Sequence, residues 1–362
     1  MKAAVCREFG SPLVIETVTL AAPQSNEVQV KLKACAICHS DITFMDGGWG
    51  GQLPQIFGHE AAGVVEEVGS AVRGVGVGDT VLVTLIRSCG HCGTCESGEP
   101  YICSAPFPAD DQSHLVGNAG ENIVQGLKTG AFAEKVVVDQ SQIVKIPETL
   151  PMDAASLLSC GVVTGFGAVV NTAKVPFGSS VVVIGCGGVG LNSIQGAAIV
   201  GASPIIAIDL VDKKLDAAME FGASHRINGK SENPVLKVQE ITQKTGADFV
   251  FVAAGSPKAF EQGLELLSAS GTLVIVGMPP TGNTVSVEVG NVAAAGQRIL
   301  GSKMGSTRLR VDIPKLVSLY EQGRLKLDEL ITGRYPLDKI NDAIDEVRAD
   351  KALRNVIIFD TP

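Results

Sequence analysis

From Val175 to Ile208 the chain carries no charged residue, a run long enough to cross a bilayer on length alone. Seven glycines and two prolines interrupt it, and Ser179, Ser180, Asn192, Ser193 and Gln195 lie within it, so it reads as two buried strands around a glycine-rich helix. Val181 to Ile184 is the first strand, the helix runs to about Val200, and PIIAID, ending at Asp209, is the second. The alternation continues with a helix over 212–222 that puts Leu215, Ala218 and Met219 on one face. It goes on through a strand over 247–254, a helix over 257–268, and strands over 271–277 and 298–303. Such repeated succession predicts an α/β fold built on a six-stranded, doubly wound parallel sheet. Residues 104–130, rich in Gly, Asp and Asn, predict a long loop, and no internal repeat or low-complexity tract breaks the chain.

Length adds a division to this picture. At 362 residues the chain exceeds what one core usually supports, so two domains are expected. Apolar residues make up 45%, aromatics only 4%, and there are 42 glycines, which suits Val/Ile/Ala-rich parallel strands joined by glycine turns. The 29 basic residues against 38 acidic ones give a formal charge of −9, which argues against nucleic acid or an anionic membrane as the partner. A small molecule is the expected ligand. The start KAAVCREFG has neither a long apolar core nor a small-residue cleavage site, so the expected location is the cytoplasm.

The first strand runs directly into GCGGVG, with Gly185, Gly187, Gly188 and Gly190. Strand before, helix after, a second strand, and an acid nineteen residues past the last glycine make this a dinucleotide-binding pattern rather than a bare glycine turn. Gly185 allows the tight turn, Gly187 lets backbone approach a diphosphate, and Gly190 lets helix and strand pack closely. The helix N-terminus then offers unpaired N–H groups to the anion. Asp209 can accept from both adenosine ribose hydroxyls and would repel a 2′-phosphate, which predicts NAD over NADP.

Four of the nine cysteines crowd into CGHCGTCESGEPYIC. In a reducing compartment such a cluster points to metal rather than disulfides. The spacing C-x2-C-x2-C-x7-C through Cys89, Cys92, Cys95 and Cys103 suits a closed tetrahedral zinc site, whereas the bacterial iron–sulfur run ends x3-C-P. A closed site has no room for substrate, so chemistry must lie elsewhere. Cys38 and Asp41 in CAICHSD, His59 and Glu60 in FGHE, and Cys160 in LLSCGVVTG supply two thiolates and an imidazole, a set known to hold zinc with one position open. Spacing alone does not bring them together.

With these motifs in order, the whole chain, from MKAAV through the four-cysteine lobe, GHEAAGVVEEVG, GCGGVG and Asp209 to LRNVIIF, resembles the zinc-dependent medium-chain alcohol dehydrogenases. The resemblance implies a doubly wound Rossmann sheet at 163–303, which would bind NAD. A mainly β, GroES-like catalytic domain with a zinc lobe would be formed from 1–162 and 304–362, with a cleft at the junction. It implies two Zn²⁺ per chain, one catalytic on Cys38, His59 and Cys160 and one structural on Cys89, Cys92, Cys95 and Cys103. Cys6, Cys35 and Cys186 match no ligand position. Zinc acidifies a bound alcohol, so that hydride can pass to the nicotinamide and leave an aldehyde.

By the same resemblance Ser40 would take up the substrate proton, Asp41 would orient the histidine ligand, and Glu60 would lie behind the metal. Thr164, Val189 and Val276 match cofactor contacts, the first two against the nicotinamide. His39 and Arg354 match contacts to the diphosphate, and Lys214 a residue near the adenosine ribose. Where many members end a proton relay in histidine, this chain has Thr43, so the relay would run through His39 or water. Trp49 and Leu85 match the substrate channel, and a tryptophan there favours slim, primary alcohols. Retention of 104–130 resembles dimeric members and implies a homodimer, with a tetramer as the alternative. Two further readings remain: oxidation of a formaldehyde–thiol (S-hydroxymethyl) adduct, and a non-catalytic NAD-binding protein with structural zinc.

Overall fold

A computed structural model describes residues 1–359, so the last three residues of the expected 304–362 segment lie outside the described residues. The chain forms two compact units. One comprises Met1–Cys160, Arg308–Gly323 and the chain from Leu327 onward, and the other Gly161–Thr307 with Arg324–Lys326.

The first unit is mostly β. Its long strand Glu27–Ala36 runs antiparallel to Glu60–Val68, which pairs in turn with Thr80–Thr84. Ile143–Lys145 extends the far edge, while Arg354–Ile358 and Lys135–Asp139 both pair with Glu27–Ala36, so the C-terminal strand joins a sheet made from the first half of the chain. A second sheet is built around Lys2–Cys6. Segment 104–130 is not the plain loop its composition predicts: Leu115–Val116 pairs antiparallel with Asn122–Gln125, and the latter lies parallel to Gln55–Ile56. Leu115 and Ile123 are the cause, two apolar anchors that are fully buried amid Gly, Asp and Asn. Phe57, Phe132, Leu32 and Met45 are the largest side chains of this unit's core.

The second unit carries six strands, all parallel, in the order His225–Asn228, Ile205–Asp209, Val181–Ile184, Ala247–Val252, Leu267–Ile275, Arg298–Gly301. All four residues of Val181–Ile184 are buried, because a central parallel strand is covered on both faces. The uncharged run is two strands around the helix Gly188–Ile199, as its glycines and small polar residues predict. A Cβ on Gly190 would stand 1.8 Å from the Gly185 carbonyl oxygen, so the helix can sit on the glycine turn only without a side chain there. The helix Asp212–Glu220 buries Leu215 and Ala218 but leaves Met219 40% exposed, which corrects the three-residue stripe to a single i, i+3 pair. Among the described residues no helix is long and apolar enough to cross a membrane.

Candidate active site

The strand Glu27–Ala36 is followed by a seven-residue helix, His39–Met45, with Cys38 as its extended N-cap. Asp41 is the third residue of that helix, and its carboxylate turns back to cap it: Oδ2 accepts from the Cys38 backbone N–H at 3.0 Å. The other oxygen, Oδ1, accepts from the Gly58 N–H at 2.9 Å and lies 3.0 Å from Nδ1 of His59. Asp41 and His59 are both fully buried. A carboxylate oxygen can only accept, so Nδ1 carries a proton toward Asp41 and Nε2 is the ring nitrogen left for another partner. That buried Nε2 has no hydrogen-bond partner among the described residues.

What faces Nε2 is a set of metal donors. The ligand atoms of Cys38, His59, Glu60 and Cys160, all buried, lie within 4.8 Å of one another. Cys38 and Cys160 share a hydrogen, which holds the Cys38 thiol well below its ordinary pKa against burial and leaves that of Cys160 well above. Burial opposes charge on His59, but Asp41 and the Cys38 sulfur draw its pKa well above the usual value. Burial pushes Glu60 up to about 7, and the Arg354 guanidinium offsets part of that shift. Two sulfurs, a carboxylate and an orphaned imidazole nitrogen form a buried, electron-rich pocket suited to a divalent cation.

Arg354, matched by resemblance to a diphosphate contact, is 5% exposed and donates Nη2 to Oε2 of Glu60. Ser40 Oγ lies 3.7 Å from Cys38 Sγ. Thr43 donates its hydroxyl to the His39 carbonyl at 3.0 Å, while His39 itself is exposed at the helix start. Trp49 packs edge-on to Phe44 with ring centroids 4.8 Å apart, and Phe44 stacks on buried Phe57 at 6.0 Å. Leu85, half-buried, follows directly on the strand Thr80–Thr84.

Cys160 reaches the cluster from a turn between the short helices Met152–Leu157 and Gly161–Gly167. Thr84 Oγ1 donates to the Ser159 carbonyl at 2.7 Å, and Ser159 Oγ donates to the Ala61 carbonyl at 3.0 Å. Neither hydroxyl is singled out by any motif, since buried Ser and Thr at such separations leave no local signal.

The second cysteine set gathers Cys89, Cys92, Cys95 and Cys103, again with donor atoms within 4.8 Å, and no disulfide forms. A tetrahedral ion with Zn–S of about 2.3 Å sets thiolates roughly 3.8 Å apart. Cys92 and Cys103 stand at 3.8 Å, and Cys89 and Cys95 at 4.0 Å. The Thr94 hydroxyl, 3.1 Å from Cys92 Sγ, leads the hydrogen bonds that lower that thiol to about 6, favouring the thiolate a metal needs.

In the other unit the glycine turn meets Asp209 at the end of its strand. Asp209 Oδ2 accepts from the Cys186 N–H at 2.7 Å, and Oδ1 accepts from Leu210 and Val211 at 2.7 and 3.0 Å. Three of the carboxylate's four lone-pair sites are thereby taken, both on Oδ1 and one on Oδ2, so Oδ2 keeps a lone pair for a hydroxyl donor. A Cβ at Gly187 would meet no protein atom within 4 Å, so the space over this helix N-terminus is open, and its unpaired N–H groups suit an anion. Val189 stands in the first turn of that helix, Lys214 in the helix after Asp209, and Thr164 and Val276 are buried.

Known proteins with this architecture are numerous. Residues 24–148 match the alcohol dehydrogenase GroES-like domain, and residues 188–322 match the zinc-binding dehydrogenase domain. The chain is 35% identical to S-(hydroxymethyl)glutathione dehydrogenase of Paracoccus denitrificans, over 99% of each chain. An alcohol dehydrogenase zinc-binding domain protein from Burkholderia ambifaria superposes with a TM-score of 0.94 at 35% identity, covering 99% of both chains. Benzyl alcohol dehydrogenase of Acinetobacter calcoaceticus does so at 0.93 and 34%, with the same coverage.

Proposed function

Since this chain belongs to the zinc-dependent medium-chain alcohol dehydrogenases, we propose that it interconverts a primary alcohol and its aldehyde with NAD. One observation carries the reading: His59 Nε2, buried and unbonded, faces two cysteine sulfurs while Asp41 fixes the opposite ring nitrogen. Cys38, His59 and Cys160 would hold a catalytic zinc, with the fourth position left to substrate or to the unbonded Oε1 of Glu60, since Arg354 takes only Oε2. The four-cysteine lobe would hold a second, structural zinc.

When bound, zinc supplies the Lewis acidity that makes an alcohol proton labile at neutral pH, and NAD supplies the hydride acceptor. The chain does the rest. Cys38 and Cys160 donate charge, Asp41 keeps the His59 proton on Nδ1, and Arg354 neutralises Glu60 behind the ligands. Ser40 Oγ, beside the Cys38 sulfur, would receive the substrate proton. Thr43 has turned its hydroxyl to the His39 carbonyl, so onward transfer would use the exposed His39 ring or water. His39 and Arg354 would also meet the cofactor diphosphate, Asp209 and Lys214 the adenosine ribose, and Thr164, Val189 and Val276 the nicotinamide end. Trp49 and Leu85 would line a channel for slim or flat primary alcohols.

A second reading is favoured by the Paracoccus relative, whose substrate is a hydroxymethyl thiol adduct. NADH formation from primary alcohols, and from formaldehyde with and without glutathione, tests both. Activity on alcohols alone, abolished by a chelator and restored by zinc, supports the first. Turnover that needs the thiol moves the assignment to the second, and no NADH formation from either defeats both.

A further inference from the structure

Cys38 and His59 are placed by the sheet: Cys38 ends the connection from Glu27–Ala36, and His59 immediately precedes Glu60–Val68. Cys160 adjoins no strand, although the helix before it packs on both Glu27–Ala36 and Glu60–Val68. It lies in a turn outside every strand and helix, following the six-residue helix Met152–Leu157. Thiolates around one zinc must be set to within about half an ångström, so something must hold this turn against the sheet.

We propose that Thr84 and Ser159 are positioning residues for Cys160, two buried hydroxyls that fasten its turn to the strands carrying the other ligands. The proposal rests on Cys160 being a zinc ligand. Thr84 is the last residue of Thr80–Thr84 and sits opposite Glu60 in the ladder. Its Oγ1 donates to the carbonyl of Ser159, the residue before Cys160, at 2.7 Å. Ser159 donates in turn to the carbonyl of Ala61, two residues past His59, at 3.0 Å. The turn is thereby pinned at adjacent points to both neighbouring strands. Thr84 is itself fixed, because its own carbonyl accepts from Gln142 Nε2 at 2.9 Å. Thr84, Ser159 and Gln142 are each 1% exposed, so water cannot replace these bonds.

The loss of either hydroxyl frees the Cys160 sulfur to move without removing any zinc donor. Thr84→Val, Ser159→Ala, Thr84→Ser and Cys160→Ser are prepared as zinc-loaded enzyme. Thr242→Val serves as control, since it removes a buried hydroxyl that bonds the Val238 carbonyl in the other unit. Zinc release to a chromophoric chelator is followed, together with the thiolate-to-cobalt absorption of the Co²⁺-substituted protein. Thr84→Val and Ser159→Ala are expected to release one zinc per chain about 10-fold faster and to weaken the cobalt band. Thr84→Ser restores both signals, and Thr242→Val lowers only the unfolding midpoint. Thr84→Val is isosteric and keeps the test open should Ser159→Ala fail to fold.

Release at the parent rate with an unchanged cobalt band in Thr84→Val overturns the proposal and leaves that hydroxyl a merely structural role. Cys160→Ser separates this failure from failure of the ligand reading. If it loses the labile zinc while the hydroxyl variants do not, only the positioning role falls. If it changes neither signal, the ligand assignment falls and the proposal with it.

Discussion

Asp41 Oδ1 faces His59 Nδ1 at 3.0 Å while accepting the Gly58 N–H at 2.9 Å, so one oxygen fixes both the imidazole and the backbone that carries it. With Oδ2 taking the Cys38 N–H, the carboxylate gathers three donors. An asparagine has one acceptor oxygen, and its amide would point N–H groups at a donor. Asp41→Asn is therefore expected to weaken zinc binding and kcat/KM by about 10- to 100-fold. Metal content after dialysis against a chelator, measured beside steady-state rates, checks this; full zinc retention with unchanged rates would contradict it.

The two cysteine sets should fail differently. Cys103 belongs to a cluster built on a turn-rich lobe, where the proposed structural zinc would contribute directly to folding. Cys103→Ala is expected to lower the unfolding midpoint by at least roughly 5 °C and to cost one zinc per chain. Cys160→Ala should also cost one zinc, abolish turnover and shift the midpoint far less. Metal analysis and thermal unfolding of both variants distinguish the roles, and equal midpoints would refute the division.

Asp209 sits at the end of its strand with three backbone N–H groups on its carboxylate. Asparagine keeps an acceptor for the loop but loses the charge that favours hydroxyls and repels a 2′-phosphate. Asp209→Asn should lower kcat/KM for NAD by about 10-fold, the value of one charged hydrogen bond, and narrow the gap to NADP. Parallel kinetics with the two cofactors decide it, with an unaltered NAD to NADP ratio counting against Asp209 as the selector.

Where local chemistry and periodicity coincide, the fold is readable from the chain. Val181–Ile184, the glycine turn and Ile205–Asp209 announce themselves because buried parallel strands are short apolar runs and the turn needs glycine. His225–Asn228 does not, since this edge strand buries only Ile227 and has no apolar run to see. The pairing of Leu115–Val116 with Asn122–Gln125 is hidden for a like reason, being two short segments in a polar stretch. The four-cysteine spacing suggests a shared ion because its ligands are local. Cys38 and His59 are brought together by long-range strand pairing, and Cys160 reaches them from a distant turn, neither of which spacing encodes, so residue by residue they look like ordinary core. The Thr84 and Ser159 bonds depend on that tertiary arrangement and have no sequence signature at all.

Acid should act on the first unit through the buried pair of Glu27 and His114. Glu27, 6% exposed, faces His114 Nε2 at 2.9 Å through Oε1 and accepts the Gln24 N–H at 2.8 Å through Oε2. Burial pushes its carboxyl pKa up, but the His114 and Gln24 hydrogen bonds outweigh burial and hold it below the ordinary 4.5. The folded state thus binds the Glu27 proton more weakly than the unfolded state. The resulting stability is fully present above pH 4.5 and is lost as pH falls through the lower, folded value. Glu27→Gln should be less stable than the parent at pH 7, by about 1–3 kcal/mol for a disturbed buried hydrogen bond. It should also lose less on acidification, so the two urea midpoints converge below pH 4.5. Midpoints measured from pH 7 to 3 on both proteins test the sign: curves that stay parallel across that range would remove Glu27 from the acid response.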